Sequence, residues 1–159
     1  MKMIFEYVVR MMVGESDDDG LDALEEVLCE VPSISNDDWG DRCVSFSGQG
    51  LTMYYSKSQK RYPIALFRVC KIDLPGWKDG PYDGDFPAGI LASDSRDMVQ
   101  AKIGQPKSSY VDKGRVGTSC VERNIDVDAY EYKSLELKFA FDCNSGEMLH
   151  MSLQFRQTN

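Results

Sequence analysis

The last strand pair of the chain decides its fold: residues 135–155 read LELKFAFDCNSGEMLHMSLQF. On both sides of the turn at residues 142–146, apolar side chains occupy every second position. A period of two is typical of a β-strand with one buried face, and the turn contains the glycine that a hairpin connection favours. The sequence therefore predicts an antiparallel β-hairpin at residues 135–155.

Four more segments show the same alternation and are predicted to be strands. Three of them follow one another closely, with the polar turn at residues 56–60 between the second and the third. The fourth comes directly before the C-terminal hairpin. The alternating positions in these segments are Val44, Phe46, Leu51, Met53, Tyr55, Tyr62, Ile64, Leu66, Tyr130 and Tyr132. Short strands joined by short polar turns predict antiparallel β-meanders.

Residues 3–13 fit two different periodicities. Every second residue from position 3 to position 13 is apolar, as in a strand, whereas Ile4, Val8 and Met11 recur at helical spacing. Because aromatic and β-branched residues are abundant in this segment, the composition favours a strand.

Two helices are predicted from spacing and from end signals. The first lies within residues 21–31, where leucines recur at helical spacing after an acidic run that favours a helix N-terminus, and it stops before Pro32. The second begins at Ser93 or Ser95 as N-cap and ends at Gly104, a residue type that commonly terminates helices.

Residues 74–89 are rich in glycine, proline and aspartate, and the sequence predicts a linker loop there. The linker would separate an N-terminal unit, residues 1–73, from a C-terminal unit, residues 90–159, although both units could also belong to one continuous domain. The predicted fold class is α+β, with two similar units that each pack a helix on an antiparallel β-meander.

The two units can be laid over each other as a repeat. Five strand positions match at an offset of 86 residues, whereas Pro32 and Pro106 are 74 residues apart. The difference predicts an insertion of 12 residues between positions 107 and 128. The matched pairs are Val44 with Tyr130, Phe46 with Tyr132, Leu51 with Leu137, Met53 with Phe139, and Tyr55 with Phe141. The alternative is that two unrelated meanders share a generic periodicity.

The composition predicts a folded, acidic protein. Hydrophobic residues make up 42% of the 159 residues, which is enough for a core, and the formal net charge is −8. Such a charge disfavours binding to the phosphate backbone of nucleic acids and would attract a basic partner. The alternative is that acidity only keeps the protein in solution.

Five cysteines, an odd number with no C-x-x-C spacing, argue against a disulfide framework and a zinc ribbon. The sequence predicts reduced, mostly buried thiols. No apolar run is long enough to span a bilayer, and the charged residues Glu6 and Arg10 interrupt the first apolar stretch, which therefore differs from a signal peptide. These features predict a cytoplasmic protein that does not bind membranes.

No residue pattern predicts catalysis or a cofactor. The single histidine, His150, lies on the polar side of the last predicted strand, where a solvated side chain is expected. Asp79, Asp83 and Asp85 lack the spacing of a calcium-binding loop. Two glycine patterns are typical of phosphate-binding loops, G-x-x-x-x-G-K-[ST] and G-x-G-x-x-G, and the chain contains neither of them. We therefore expect no enzymatic activity and no metal site.

Two groups of aromatic and acidic residues are candidates for contact with a partner protein. Aromatic side chains beside charge are typical of binding hot spots. One group lies in the predicted linker and the other around the first tryptophan. The candidate residues are Trp77, Asp79, Tyr82, Asp83, Asp85, Asp37, Asp38 and Trp39. The alternative is that each tryptophan covers a small hydrophobic core.

Residues 86–106 carry a resemblance to a known family. The segment reads FPAGILASDSRDMVQAKIGQP, and the later stretch Phe139-Ala140-Phe141-Asp142 precedes a glycine turn. Together they resemble small bacterial toxin-immunity proteins of the pyocin-immunity type. The tandem helix-plus-meander layout is similar to the β-lactamase inhibitor protein. That inhibitor is secreted and disulfide-bonded, unlike the protein expected here.

The resemblance implies an immunity protein that binds a cognate antibacterial toxin and occludes its active site. The implied partner is a basic protein, which the acidic chain would attract. The alternative function is an acidic secretion chaperone for an effector protein. A chaperone of that kind would be a dimer with a helical C-terminus, whereas this chain is predicted to end in a strand hairpin.

Overall fold

The computed structural model describes residues 3–14, 19–70, 72–74, 77–115 and 122–156. Its helices are α1 (Ile4–Met12), α2 (Asp19–Leu28) and α3 (Arg96–Ile103), with single turns of 3-10 helix at Ser47–Gln49 and Pro87–Gly89. The helices predicted around residues 21–31 and 93–104 are thereby confirmed. Within the described residues, none of the helices combines the length and the apolar composition needed to cross a membrane.

Ten strands accompany the helices in the described ranges. They are β1 (Ser33–Asn36), β2 (Arg42–Phe46), β3 (Leu51–Ser56), β4 (Arg61–Arg68), β5 (Ile72–Leu74), β6 (Trp77–Asp79), β7 (Ser108–Arg115), β8 (Glu122–Tyr132), β9 (Leu135–Asp142) and β10 (Met148–Phe155). All the strands predicted by alternation after residue 40 are present. Strand β1 escaped prediction because its four residues are all exposed, so no apolar face marks it.

Eight of the strands form one antiparallel sheet in the order β1-β2-β3-β4-β10-β9-β8-β7. Each half of the chain therefore contributes a four-stranded meander, and the two meanders meet at their last strands. In that central pairing, Leu66 of β4 lies opposite Ser152 of β10. The fold class α+β is thus confirmed, with strands β5 and β6 forming a separate hairpin.

Within residues 3–13, Ile4–Met12 form helix α1, so the predicted strand is wrong. Six of the nine helical residues are buried, at spacings of three and four that follow one helix face: Ile4, Phe5, Val8, Val9, Met11 and Met12. These side chains face the sheet, where the ring of Phe5 lies 5.8 Å from the ring of Phe67 on β4. The alternating strand pattern and the helix each offer six apolar residues on one face, so their number does not distinguish the two. The helix forms because its apolar face packs against the sheet in the main cluster.

A single hydrophobic cluster lies between the helices and one face of the sheet. It joins side chains of all three helices to strands from both meanders, including Phe67 of β4 and Phe139 of β9. The predicted units on either side of residues 74–89 therefore share one core and one sheet. On the opposite face, no helix of the described ranges packs against the sheet, and a smaller cluster of Ile125, Val127, Ala140 and Leu149 lies there.

Helix α3 is attached to the sheet largely through polar contacts. Val99 is its one fully buried residue. The carboxylate of Asp128 on β8 is completely buried and accepts two hydrogen bonds from Arg96, at 2.9 and 2.7 Å, and one from Gln100 at 3.0 Å. Ser109 of β7 donates a fourth at 2.7 Å. Burial raises the pKa of Asp128, but these hydrogen bonds outweigh burial and lower it overall.

Candidate partner-binding site

Residues 37–41, here called the acidic turn, connect β1 to β2 in a fixed conformation. The Oδ1 atom of Asp37 accepts hydrogen bonds from the backbone N–H groups of Trp39 and Asp41, both at 2.9 Å. The backbone N–H of Asp37 donates to the carbonyl oxygen of Asp41 at 3.0 Å. Gly40 has a φ of +87°, a conformation that glycine adopts without strain. The turn is therefore built by its own aspartates.

Trp39 projects from this turn into solvent, with 83% of its surface exposed. An indole exposed to that degree covers no core, so the alternative role considered for Trp39 does not apply. Burying it against a partner would remove a large apolar area from water, and the fixed turn would reduce the conformational entropy lost on binding. Trp39 therefore has the properties of a binding anchor.

A groove of about 350 Å³ lies beside the acidic turn, at the corner of the sheet. We call it the corner groove. Its lining includes the acidic residues Asp37 and Asp41, and Tyr54, Tyr55 and Pro63 contribute aromatic and apolar residues. The remaining lining residues are Ser35, Asn36, Arg42, Cys43 and Ser56. The groove thus combines carboxylates with aromatic rings.

Two further apolar side chains are exposed near the groove. Tyr54 of β3 pairs with Ile64 of β4, and they are 44% and 39% exposed. Partial burial raises the pKa of the Tyr54 phenol, and the neighbouring thiol of Cys43 adds to the shift. Both residues lie on the helix-free face, because their neighbours Met53 and Ala65 face the core. Alternation predicts Ile64 on the apolar face of its strand, and that face is wrong, because Ala65 and Phe67 are the residues of β4 that enter the core. Tyr54 escaped prediction because it lies between the predicted positions Met53 and Tyr55.

The linker candidates have a different environment. Tyr82 is 2% exposed, with its ring 4.9 Å from the ring of Phe67, and Asp85 is 8% exposed. The Asp85 carboxylate accepts a hydrogen bond from the backbone N–H of Phe5 at 2.9 Å, at the start of α1. Burial and the adjacent Asp85 strongly raise the pKa of Tyr82. Tyr82 and Asp85 are therefore core residues, and their predicted contact with a partner is corrected.

The remaining candidates divide into two groups. Asp83 is exposed, as are Asp37 and Asp38 in the acidic turn. The side chains of Trp77 and Asp79 lie outside the described part of the structure, although their backbone belongs to β6. The structure therefore brings Asp37, Asp38 and Trp39 together on one exposed turn.

The structure also corrects two expectations about reactive groups. His150 is half-buried rather than solvated, and burial lowers its pKa. Of the cysteines within the described ranges, Cys29 and Cys143 are exposed, and Cys43 and Cys70 are half-buried, so the prediction of mostly buried thiols is wrong. Cys120 lies outside those ranges. Among the described residues, no three histidine, cysteine, aspartate or glutamate side chains cluster as a metal site requires.

Comparisons with known proteins give no further guidance on this site: no protein-family model, no curated protein and no solved structure matches the chain.

Proposed function

We propose that the chain is an immunity protein, which binds a cognate antibacterial toxin in the cytoplasm of the producing cell and occludes the active site of that toxin. The observation that carries the proposal is Trp39, almost fully exposed on a turn that Asp37 holds in place. Exposed tryptophans are unusual on monomers and common in the centres of protein interfaces. The proposed contact surface comprises the acidic turn together with Tyr54 and Ile64.

The net charge of −8 supports a basic partner. The carboxylates of Asp37, Asp38 and Asp41 make no ion pair with any described residue. Unpaired acids around an aromatic anchor would attract a cationic surface and speed encounter. Association with the toxin should therefore slow as the salt concentration rises, whereas an on-rate insensitive to salt would reject this electrostatic contribution.

We also propose that the two meanders are a tandem repeat. The offset of 86 residues places Leu66 with Ser152, and these two residues lie directly opposite each other at the meeting of β4 and β10. Two copies related by a two-fold axis would have this pairing, because each central residue would face its own counterpart. The extra residues expected between positions 107 and 128 fall in the β7–β8 hairpin, whose strands are longer than β1 and β2.

The register of β8 changes one part of this alignment. Val44 of β2 lies opposite Met53, and the residue opposite Phe139 in the second meander is Asp128. If Met53 matches Phe139, the counterpart of Val44 is Asp128, two residues before the predicted Tyr130. Matching by apolar periodicity alone missed this shift because Asp128 is a buried charged residue at a position where an apolar residue was expected.

The test is direct binding and neutralisation. The product of the neighbouring open reading frame would be co-expressed with the chain, and complex formation measured by calorimetry and growth by colony counts. We expect stoichiometric binding and protection of the cell. Trp39→Ala should weaken binding at least tenfold, since hot-spot tryptophans commonly contribute 2 kcal/mol or more. Met98→Ala, which removes an exposed apolar side chain from α3, is the matched control.

Two results would count against the proposal. Binding without protection, by a dimer that keeps the partner competent for export, would favour the secretion chaperone. A complex equally tight with Trp39→Ala and with the unchanged chain would remove the acidic turn from the interface. Light scattering gives the mass of the free chain and separates a monomer from a dimer.

A further inference from the structure

We infer that the corner groove receives a cationic side chain, an arginine or a lysine, from the partner protein. This inference rests on the proposed function and adds the chemistry by which the partner is recognised. The residues that line the groove include Asp37 and Asp41, together with Tyr54, Tyr55 and one cation, Arg42. Its volume of about 350 Å³ is sufficient for one long side chain with associated water.

The acids of the groove differ from three buried acids elsewhere in the chain. Asp94, Asp128 and Asp142 are each buried, and each makes an ion pair with a lysine or arginine of the chain itself. Asp37 and Asp41 use only Oδ1, in hydrogen bonds to backbone N–H groups. Asp37 and Asp41 both line the groove, and each keeps one carboxylate oxygen, Oδ2, that accepts no hydrogen bond from the described residues.

Two cationic residues near these acids, Arg42 and Lys57, make other contacts. The guanidinium of Arg42 lies over the ring of Tyr55, 4.4 Å from its centroid, and makes no ion pair with Asp37 or Asp41. The side chain of Lys57 runs beside Gly40 and makes no ion pair within the described part of the chain. Arg42 itself lines the groove and already stacks on the ring of Tyr55, so the ring of Tyr54 is the one left for an incoming side chain.

Tyr54 completes the environment of the incoming side chain. Its ring lines the groove and is partly exposed, so the methylene groups of an arginine could pack against it while the charged end reaches the carboxylates. An apolar anchor would leave both Oδ2 atoms in the interface without a hydrogen bond, which costs free energy. An acidic anchor would be repelled. A cation is therefore the occupant that satisfies the groove.

The first experiment needs no partner. N-acetyl-arginine N-methylamide would be titrated into the full-length ¹⁵N-labelled chain while the amide signals of Asp37, Asp41 and Tyr54 are followed. The citrulline analogue is a neutral probe of nearly the same shape. We expect saturable shifts with the arginine probe and none with the citrulline probe at the same concentration. Equal shifts with both probes, or no shifts with either, would overturn the inference.

Matched variants separate the groove from general acidity. In Asp37→Asn/Asp41→Asn, the amide oxygens can still accept the backbone hydrogen bonds, so the turn should keep its conformation, which unchanged amide spectra would verify. Asp38 belongs to the same turn but does not line the groove. We expect the double variant to bind the arginine probe about three- to tenfold more weakly, and Asp38→Asn to change binding less than twofold. Equal losses in both variants would contradict a specific groove.

The partner itself gives a second and separable result. If the neighbouring gene product binds the chain and Asp37→Asn/Asp41→Asn weakens that complex much more than Asp38→Asn does, the inference is supported. If the complex forms equally well with both variants, the inference fails while the proposed function stands. If no complex forms with any form of the chain, the proposed function fails, and the probe titration alone decides the chemistry of the groove.

Discussion

The N-terminal helices and helix α3 lie on the same sheet but are held there by different interactions. Helices α1 and α2 bury a row of apolar side chains, including Leu24 and Leu28, in the main cluster. Helix α3 buries Val99 alone and is fixed by the hydrogen bonds of Arg96 and Gln100 to Asp128. Apolar burial has no preferred direction. A carboxylate that accepts four hydrogen bonds, in contrast, requires its donors at defined positions, so it fixes the placement of α3 on the sheet.

The difference is seen at two positions that the proposed repeat would align. Val44 lies opposite Met53 in the first meander, and Asp128 lies opposite Phe139 in the second. The first position contributes an apolar side chain to the core, and the second contributes a fully buried charge. We conclude that the sheet can hold either an apolar residue or a hydrogen-bonded carboxylate at such a position. Because a buried carboxylate depends on its ion-pair partner, the C-terminal half should lose more stability when that single partner is removed.

The largest effect is expected from Arg96→Leu, which leaves the buried carboxylate of Asp128 without its cation. The free energy of unfolding should fall by about 3–5 kcal/mol in urea denaturation, the usual result of unpairing a buried charge. Lys107→Leu removes an exposed ion pair with Glu131 and should cost less than about 1 kcal/mol. A loss of similar size in both variants would contradict the special role of the buried pair.

The double variant Arg96→Leu/Asp128→Val sharpens the comparison by giving the second meander the apolar residue that the first has at Val44. We expect it to regain most of the stability lost in Arg96→Leu, since replacing a whole buried ion pair with apolar groups is often neutral or favourable. A double variant as unstable as the single one would show that Gln100 and Ser109 cannot be left without Asp128.

The next effect concerns the apolar contacts. Leu24→Ala in α2 should lower the free energy of unfolding by about 2–5 kcal/mol, because it opens a cavity in the main cluster. Val99→Ala in α3 removes fewer buried methyl groups and should cost less. Urea denaturation measures both. If Val99→Ala proved as costly as Leu24→Ala, helix α3 would depend on apolar burial as much as α2 does.

A smaller effect is expected at the N-terminus of α1. Asp85→Ala removes the carboxylate that accepts the N–H of Phe5, and a lost cap of this kind costs about 1–2 kcal/mol in thermal or urea unfolding. Asp83→Ala, an exposed neighbour, should change stability by less than about 0.5 kcal/mol. Equal effects would mean that the contact of Asp85 with α1 contributes nothing to stability.

The smallest effect is a pH dependence confined to the C-terminal half. For Asp94 and Asp128, burial opposes ionisation, but hydrogen bonds from Lys102 and Arg96 respectively outweigh it and lower the pKa below 3.8. Their contribution to stability is therefore complete above pH 3.8 and is lost as the pH falls through the lowered pKa. Below pH 3.8, the amide of Val99 should lose more hydrogen-exchange protection than the amide of Leu24. Equal losses of protection at Val99 and Leu24 would show that the two helices do not differ in their dependence on buried carboxylates.

The sequence predicts those elements in which one periodicity dominates. Strands β9 and β10 alternate along most of their length, and both are present. One exception is Leu149, which a register shift between Met148 and His150 places in the cluster on the helix-free face. In α1 a strand pattern and a helical pattern overlap, and only the position of the sheet decides that the helical face is buried. The exposed strand β1 carries no apolar face, so its pairing with β2 depends on tertiary context alone.

The candidate site was predictable in part for a similar reason. A run of aspartates around Trp39 marks an exposed turn, and the structure places the indole in solvent. A similar mixture of aspartates and an aromatic residue around Tyr82 belongs to a segment that packs against the core. There the ring of Tyr82 contacts the ring of Phe67, and Asp85 accepts the N–H of Phe5 at the start of α1. Composition does not distinguish these cases, since the partners of Tyr82 and Asp85 are distant in sequence.

The meeting of β4 with β10 has a consequence for biosynthesis. Strand β4 is complete at Arg68, but its outer edge is covered only by residues 148–155. A nascent chain that has left the ribosome as far as α3 therefore exposes an unpaired strand edge in the middle of the future sheet, where other polypeptides can attach. A fragment that ends before residue 148 should therefore be prone to aggregation. The sheet can be completed only after residues 148–155 have left the ribosome.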